Sequence, residues 1–432
     1  VTAASETLIK LINDALTRHP ASGRLWVGYS GGLDSAVLLH LLARAELPVT
    51  AVHVNHGISP QADNWQAHCE TFAKAMGVPF IGHKVQVCRE DGGLEQAARS
   101  ARYRVFEKVM APGDQILLAH HGDDQTETLL LRLMRGAGIE GLAAMDECRA
   151  LSEGRSVLRP LLRVSREELE LYARAQGLAW IEDESNADLA FDRNYIRSQV
   201  VPALTARWPV VNRVSRAVEN LRESAGLLQD IALDDLRGCA HCEARFGESI
   251  DLQGFRALSV PRQKNLLRMW IRQLGGRMPE SAQLQEGLEQ VRAAADAQPA
   301  VTLGDLVLRR YRDRLYLTPQ LQPLSDSVAG ETVWRWDGMC NLELTDGWTL
   351  QPDKGWPAGE YTVHFRRGGE RARPSSRSHS QTLKKLLQEY ALEPWLRGLV
   401  PLIYTGDELV AVGDLFVTAK GPSQPPIWRF LD

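Results

Sequence analysis

The sequence predicts a doubly wound parallel α/β domain, then a helical middle domain, then a small strand-rich α+β domain. Three observations carry that prediction. Residues 24–212 alternate short apolar runs with amphipathic stretches, as parallel strands wrapped by helices do. From about Arg213 long amphipathic stretches dominate and strand signals become few. Residues 331–432 are rich in short strand-like runs and hold six of the chain's eleven tryptophans. The expected boundaries are 1–212, 213–320 and 331–432, and a length of 432 residues suits two or three domains.

The elements follow in order. Residues 25–29 read as a buried strand and 35–45 as a helix with leucines at helical spacing. A second strand is expected at 49–53, a helix at 63–76, extended chain at 80–87 and a helix at 94–110. Residues 115–119 form the next expected strand, with a helix from about Asp124 to Met134. In the middle, 214–236, 261–274 and 281–295 read as helices, closing on a hairpin at 306–311 and 314–317. Pro319, Pro323 and the Ser/Asp residues of 324–327 read as a linker. Beyond it, 381–390 is one clear helix, and 403–412 turns through Gly406-Asp407 as a hairpin.

Composition narrows the function classes. With 24% charged and 44% apolar residues, the chain has the make-up of an ordinary globular protein. No apolar run approaches the roughly 18 residues of a spanning helix, so no membrane span is expected. The first nineteen residues carry acids and amphipathic spacing, so no secretory signal is expected either. Six cysteines in a chain this long do not make a disulfide framework, which points to a reducing cytoplasm. The net charge is −4 and no domain is basic as a whole, so any polyanion site must be a local patch.

The sharpest local feature is Ser30-Gly31-Gly32-Leu33-Asp34-Ser35, between the first expected strand and the first expected helix. Two glycines let the backbone turn tightly and bring its N–H groups against a ligand. The following helix points its unpaired amides and positive dipole end at the same place, and Ser30 and Ser35 add hydroxyls. The loop lacks the Gly-Lys-Ser/Thr of a Walker loop and the Gly-x-Gly-x-x-Gly of a dinucleotide fold. Asp34 beside phosphates implies an intervening cation, either bound Mg²⁺ or the counter-ion of a leaving pyrophosphate. The plain alternative is a Gly-Gly turn with Asp34 or Ser35 as a helix cap. The motif resembles the loop of the PP-loop ATP pyrophosphatases, of the adenine nucleotide alpha hydrolase-like fold. They cleave ATP between its α and β phosphates and adenylate a substrate.

A second cluster, His120-His121-Gly122-Asp123-Asp124-Gln125-Thr126-Glu127-Thr128, stands at the end of a strand and the start of a helix. Asp124 and Glu127, three apart, share one helix face at its first turn. They can hold Mg²⁺ or grip an ammonium group, or simply complement the helix dipole. Further polar motifs are His53-Val54-Asn55-His56-Gly57, Ala98-Arg99-Ser100-Ala101-Arg102-Tyr103, Arg135-Gly136-Ala137-Gly138 and Leu158-Arg159-Pro160-Leu161-Leu162. Asp183-Glu184-Ser185-Asn186 and Asp192-Arg193-Asn194-Tyr195-Ile196-Arg197 complete the set. Over essentially residues 24–212 these stretches resemble the tRNA(Ile)-lysidine synthetase family. The helical middle and the strand-rich end are similar in architecture to its longer members.

That resemblance implies an ATP-dependent ligase, using ATP and Mg²⁺, that acts on the wobble cytidine of the CAU anticodon of tRNA(Ile). The C2 oxygen would be adenylated with release of pyrophosphate, and the side-chain amine of free L-lysine would displace AMP to leave lysidine. Ser30, Gly31, Gly32, Leu33, Asp34 and Ser35 would then cradle the phosphates, with Asp34 at Mg²⁺. Asp124 and Glu127 would bind the lysine amine or assist its deprotonation. Arg102 and Arg193 would contact the lysine carboxylate or stabilise charge on AMP. His56, His121, Arg99 and Arg197 would line the lysine and cytidine pocket. For each arginine a solvated ion pair is the bland alternative, and for each histidine a structural role.

The best polyanion candidate is the segment with Arg366, Arg367, Arg371, Arg373, Arg377, Lys384 and Lys385, suited to the body of the tRNA, although charge runs are commonly just solvated. Trp334, Trp336, Trp348 and Trp356 are expected to fill a small core. Cys239 and Cys242 lack a second ligand pair for structural zinc and are expected to be inert. The rival readings are a tRNA thiolase of the same fold, which would need catalytic cysteines near the loop such as Cys69 or Cys88, and a non-catalytic nucleotide- or RNA-binding protein. A homodimer is compatible with the fold.

Overall fold

The computed structural model describes residues 2–87, 93–182, 188–292, 299–321, 332–345 and 347–431. Cys88, the Asp183-Glu184-Ser185-Asn186 motif and most of the expected linker lie outside the described residues. The chain divides into two compact units, Val1–Leu227 and Leu228–Asp432. Among the described residues no helix is long and apolar enough to cross a membrane.

The first unit opens with α1 (Thr2–Arg18), β1 (Leu25–Gly28), α2 (Leu33–Arg44), β2 (Val49–Asn55), α3 (Ala62–Ala75) and β3 (Phe80–Lys84). It continues with α4 (Gly93–Val109), β4 (Gln115–Leu117), α5 (Gly122–Met134), α6 (Ile139–Leu142), β5 (Cys148–Ala150) and β6 (Ser156–Leu158). Helices α7 (Arg166–Ala175), α8 (Asp192–Tyr195), α9 (Val201–Thr205) and α10 (Val210–Gly238) follow, with a π-helical turn at Ile196–Val200.

The sheet order is β3-β2-β1-β4-β6-β5. Five strands run parallel, as expected, and β5 runs antiparallel to β6. The short connection from Ala150 to Ser156 explains that exception, since a parallel return needs a crossover of about a dozen residues.

Strand alternation shows how the sheet is covered on both faces. Val27, Leu117 and Leu158 pack with α1, α2 and α7, while their neighbours Trp26, Ile116 and Val157 pack under α4 with Val105, Phe106 and Met110. Leu38, Leu39, Leu41 and Leu42 of α2 are fully buried, and burying each such side chain contributes about 1.5–3 kcal/mol. The start of β1 is fixed by the buried Asp114, whose carboxylate accepts from the Arg24 amide at 2.7 Å, Trp26 Nε1 at 2.9 Å and the Ala111 amide at 2.9 Å. Asp114 thereby aligns the strand that carries the glycine loop.

In the second unit, α11 (Leu252–Ala257), α12 (Val260–Gln273) and α13 (Ser281–Arg292) share a core with a five-stranded antiparallel sheet. The expected hairpin is there as Leu306–Tyr311 and Arg314–Pro319, its turn holding Arg312 at φ 52°. The sequence foresaw the helices but not that Cys242–Glu243 and Glu248–Asp251 would extend this sheet, because strands of two and four residues leave almost no periodicity to read. The C-terminal part holds two further antiparallel sheets, a two-stranded ribbon and the helix Leu383–Glu389. Trp336, Trp348, Trp356 and Trp428 are buried in its core, and Trp334 packs edge-on against Phe365.

Candidate active site

The glycine loop leaves the carboxyl end of β1 and enters α2, where open parallel sheets bind ligands. Gly31 sits at φ +90°, and a Cβ there would lie 2.7 Å from Ile181 and 2.8 Å from the Cys69 thiol. The Ile181 amide donates to the Gly31 carbonyl at 2.9 Å, so the back of the loop is clamped. Ser35 turns inward: its hydroxyl donates to the Gly32 carbonyl and accepts from the Ser30 amide at 3.2 Å. Ser30 and Ser35 hydroxyls lie 3.0 Å apart. Ser35 thus shapes the loop, and the amides of the first turn at Leu33, Asp34 and Ser35 precede the first intrahelical bond, from Ala36 to Gly32. That is an anion cradle built from backbone.

Asp34 faces the second cluster. His121 Nε2 lies 3.5 Å from Asp34 and 3.5 Å from Asp124, and His121 Nδ1 lies 3.5 Å from Asp123. Burial opposes charge on His121, yet Asp124, Asp123 and Asp34 outweigh it and push its pKa up to about 10. The three carboxylates favour the charged form of His121, which stands between the glycine loop and α5. Its neighbour His120 is pushed the other way by burial, down to about 3. His56, at the end of β2, is lowered to about 4 by burial, Arg102 and His53.

The acids of α5 meet two arginines from beyond α7. Arg193 Nε donates to Glu127 at 2.7 Å and its Nη2 to Asp124 at 2.8 Å. Arg197 Nε donates to the other Glu127 oxygen at 2.6 Å, and its Nη2 reaches Asp124 at 3.3 Å. Glu127 is 1% exposed, so both its oxygens are committed to guanidiniums inside the protein. Asp124 also accepts the His121 amide at 3.1 Å. Burial disfavours its charge, but His121 and Arg193 hold its carboxyl well below the usual range.

The structure thus brings Asp34, His121, Asp124, Glu127, Arg193 and Arg197 into one network, with Arg102 and His56 at the same strand ends. Arg99 places its guanidinium over the Tyr103 ring. Sequence reasoning missed Asp123, which could have been found in the run His121-Gly122-Asp123-Asp124. It also missed Ile181, which carries no sequence signal at all. The seven basic residues of the C-terminal unit are partly neutralised. Arg366 lies 3.6 Å from Glu370, Arg377 donates to Glu389 at 2.5 Å and Lys385 lies 3.9 Å from Glu389. Arg367, Arg371, Arg373 and Lys384 are exposed.

The cysteines take ordinary surroundings. Cys69 is buried behind the loop and its thiol is pushed up to about 12 by burial. Cys239 is buried, while Cys242 is exposed and accepts from Arg314.

One buried oxygen of Asp34 has no hydrogen-bond partner. A single free carboxylate oxygen beside a phosphate cradle suits Mg²⁺, which binds through one or two carboxylates plus substrate phosphates. Among the described residues no group of three His, Cys, Asp or Glu side chains forms an all-protein metal cage.

Comparison with known proteins gives three family matches along the chain: a PP-loop domain over residues 3–204, a TilS substrate binding domain over 250–316 and a TilS substrate C-terminal domain over 361–430. The chain is 43% identical over 416 residues to a tRNA(Ile)-lysidine synthase of Pseudomonas aeruginosa, covering 93% of this chain and 92% of the relative. It is 40% identical to that of Alkalilimnicola ehrlichii, covering 98% and 97%, and 37% identical to that of Coxiella burnetii, covering 94% and 91%.

Proposed function

Because the chain belongs to the tRNA(Ile)-lysidine synthase family, we propose a residue-level account of how it performs that family's reaction. The protein is an ATP-dependent ligase that joins L-lysine to C2 of the wobble cytidine in the CAU anticodon of tRNA(Ile). ATP use follows from its PP-loop domain. The observation that carries the residue roles is the network in which Asp124 and Glu127 hold Arg193 and Arg197 beside the glycine loop.

The cytidine O2 attacks the α-phosphorus of ATP, forming a P–O bond as pyrophosphate leaves. First-turn amides of α2 receive the phosphates, and Asp34 would hold Mg²⁺, which would neutralise phosphate charge. His121 stands between Asp34 and Asp124, where a proton on its ring would offset the repulsion of that carboxylate pair. The lysine amine then attacks C2, the C2–O bond breaks and AMP departs with the oxygen. The amine must arrive without its extra proton. Asp124 and Glu127 bind the ammonium in place of a guanidinium, and one of these carboxylates accepts its proton before the free amine attacks. The longer contact, Arg197 to Asp124 at 3.3 Å, is the one that exchanges at least cost. We assign Arg193 and Arg102 to the lysine carboxylate or the departing AMP, and His56 to the base.

Three further readings belong to the same proposal. The domains divide at 1–212, 213–320 and 331–432, a reading supported by one core cluster around Trp270 and another around Trp348, the latter also taking in Phe246. The exposed arginines and Lys384 of the last domain contact the tRNA body. The enzyme works in the cytoplasm, where its substrates are, and its fold is compatible with a homodimer.

Nucleoside mass analysis tests the function. After incubation with ATP, Mg²⁺, lysine and an unmodified CAU-anticodon tRNA(Ile) transcript, the digest should contain cytidine gained by lysine less one water. A digest with sulfur on a base, or with cytidine unchanged, would overturn the proposal.

A further inference from the structure

A second cluster of cations lies on the other face of the sheet, around Tyr103 of α4. Arg99 and Arg149 place their guanidiniums 5.2 and 5.3 Å from the centre of the Tyr103 ring. Arg159, directly after β6, is 2% exposed. One of its terminal nitrogens donates to the Asp146 carbonyl at 2.7 Å and its guanidinium faces the Tyr103 hydroxyl, while its Nε is buried with no carboxylate against it. Among the described residues none of the three arginines forms an ion pair. The acids beside Arg149 in sequence turn elsewhere, Asp146 to Arg222 at 3.1 Å and Glu147 to Arg18 at 2.7 Å. Burial would make the Tyr103 phenol less acidic, but Arg99, Arg159 and Arg149 outweigh it and lower its pKa.

Buried guanidinium without a carboxylate is costly, and three converging cations repel one another. An arrangement of this kind is stabilised when an anion binds. We infer that Arg99, Tyr103, Arg149 and Arg159 form an anion subsite for a backbone phosphodiester of the RNA substrate. This rests on the reading that the chain acts on an RNA.

Placement favours RNA over ATP as the source of the phosphate. The glycine loop hands its ligand to α2 on the face lined by Val27, whereas Tyr103 packs on the face lined by Trp26. Arg149 lies on the edge strand β5 and is exposed, so an extended polyanion can reach it from solvent. Two guanidiniums stacked on Tyr103 occupy its surroundings, which leaves the ring to position donors and not to stack on a base. Phosphate contacts of this sort fix the register of an RNA and carry no sequence information.

The test compares wild type with Arg149→Ala and Tyr103→Phe, neither of which removes a buried apolar side chain. Binding of the CAU-anticodon tRNA(Ile) transcript is measured across a salt series, together with ATP affinity and melting temperature. The expected result is RNA binding weakened about 5- to 10-fold by Arg149→Ala, with the slope of log K against log salt reduced by about 0.7, the value for one single-strand phosphate. Tyr103→Phe should weaken RNA binding in the same direction, with ATP affinity unchanged in both. Weakened ATP binding with unaltered RNA binding would overturn the inference and assign the cluster to the nucleotide. Unaltered RNA and ATP binding at normal melting temperature would overturn it outright. Wild type that binds no RNA would overturn the functional reading as well, so the two failures are distinguishable.

Discussion

Glu127 is the residue whose environment says most about its work. Its carboxylate is buried and accepts from both Arg193 and Arg197, so it acts first by holding two guanidiniums in one orientation. Removing one member of a buried ion network costs about 3–5 kcal/mol where burial is complete. Arg193 and Arg197 retain 24% and 31% of their side-chain exposure, so the loss in folding stability should fall well short of that range. Lysine transfer in Glu127→Ala should fall about 100-fold while ATP affinity stays within about threefold, on the scale expected for a misplaced catalytic group. Near-normal turnover would remove Glu127 from the chemistry. The neutral histidines give a pH prediction. His56 is held at about 4 and His120 at about 3, against about 6.5 in an unfolded chain. Between those values the unfolded state binds more protons, so the contribution of these two histidines to stability rises with pH, is complete above about 6.5 and is lost as pH falls toward 4. Thermal melts across pH 4–7 should show that slope, and His56→Asn should flatten it.

At the scale of elements, the loop between β1 and α2 depends on a backbone conformation and a close approach together. Gly31→Ala would force a β-carbon into Ile181 and Cys69 at a positive φ, a strain of about 1–3 kcal/mol. The ATP KM should rise at least tenfold, read from the rate of pyrophosphate release, and an unchanged KM would show that the loop does not need its left-handed turn. This loop was legible in the sequence because two glycines between a strand and a helix are a local signal. The acids at the start of α5 were legible for the same reason, standing three apart at a helix N-terminus. Their pairing with Arg193 and Arg197 was not, since it joins positions 66 and more residues apart through the fold. Nor was the clamp from Ile181, where an apolar side chain and a backbone amide act and no residue type advertises either. Strand β5 escaped notice because three residues are too few to show a period.

For the whole molecule, chemistry in the first unit must be matched by a grip on a large polyanion, although the chain carries a net charge of −4. Local patches have to supply that grip. In the C-terminal unit Arg366, Arg377 and Lys385 are paired with acids, which leaves Arg367, Arg371, Arg373 and Lys384 exposed, and these four are the ones proposed to meet RNA. Reversing two of these charges in Arg373→Glu/Lys384→Glu should weaken tRNA binding about tenfold at physiological salt and reduce its salt dependence. ATP affinity should not change, and unaltered tRNA binding would remove this surface from the interface. The central claim joins both ends of the molecule in one reaction and is tested most directly by counting products. Purified protein is given ATP with Mg²⁺, labelled lysine, and either tRNA(Ile) or tRNA(Met) transcripts with the same CAU anticodon. The account predicts acid-precipitable lysine on tRNA(Ile), one AMP for each lysine transferred, and none on tRNA(Met). AMP release without lysine on the tRNA, or no AMP at all, would contradict it.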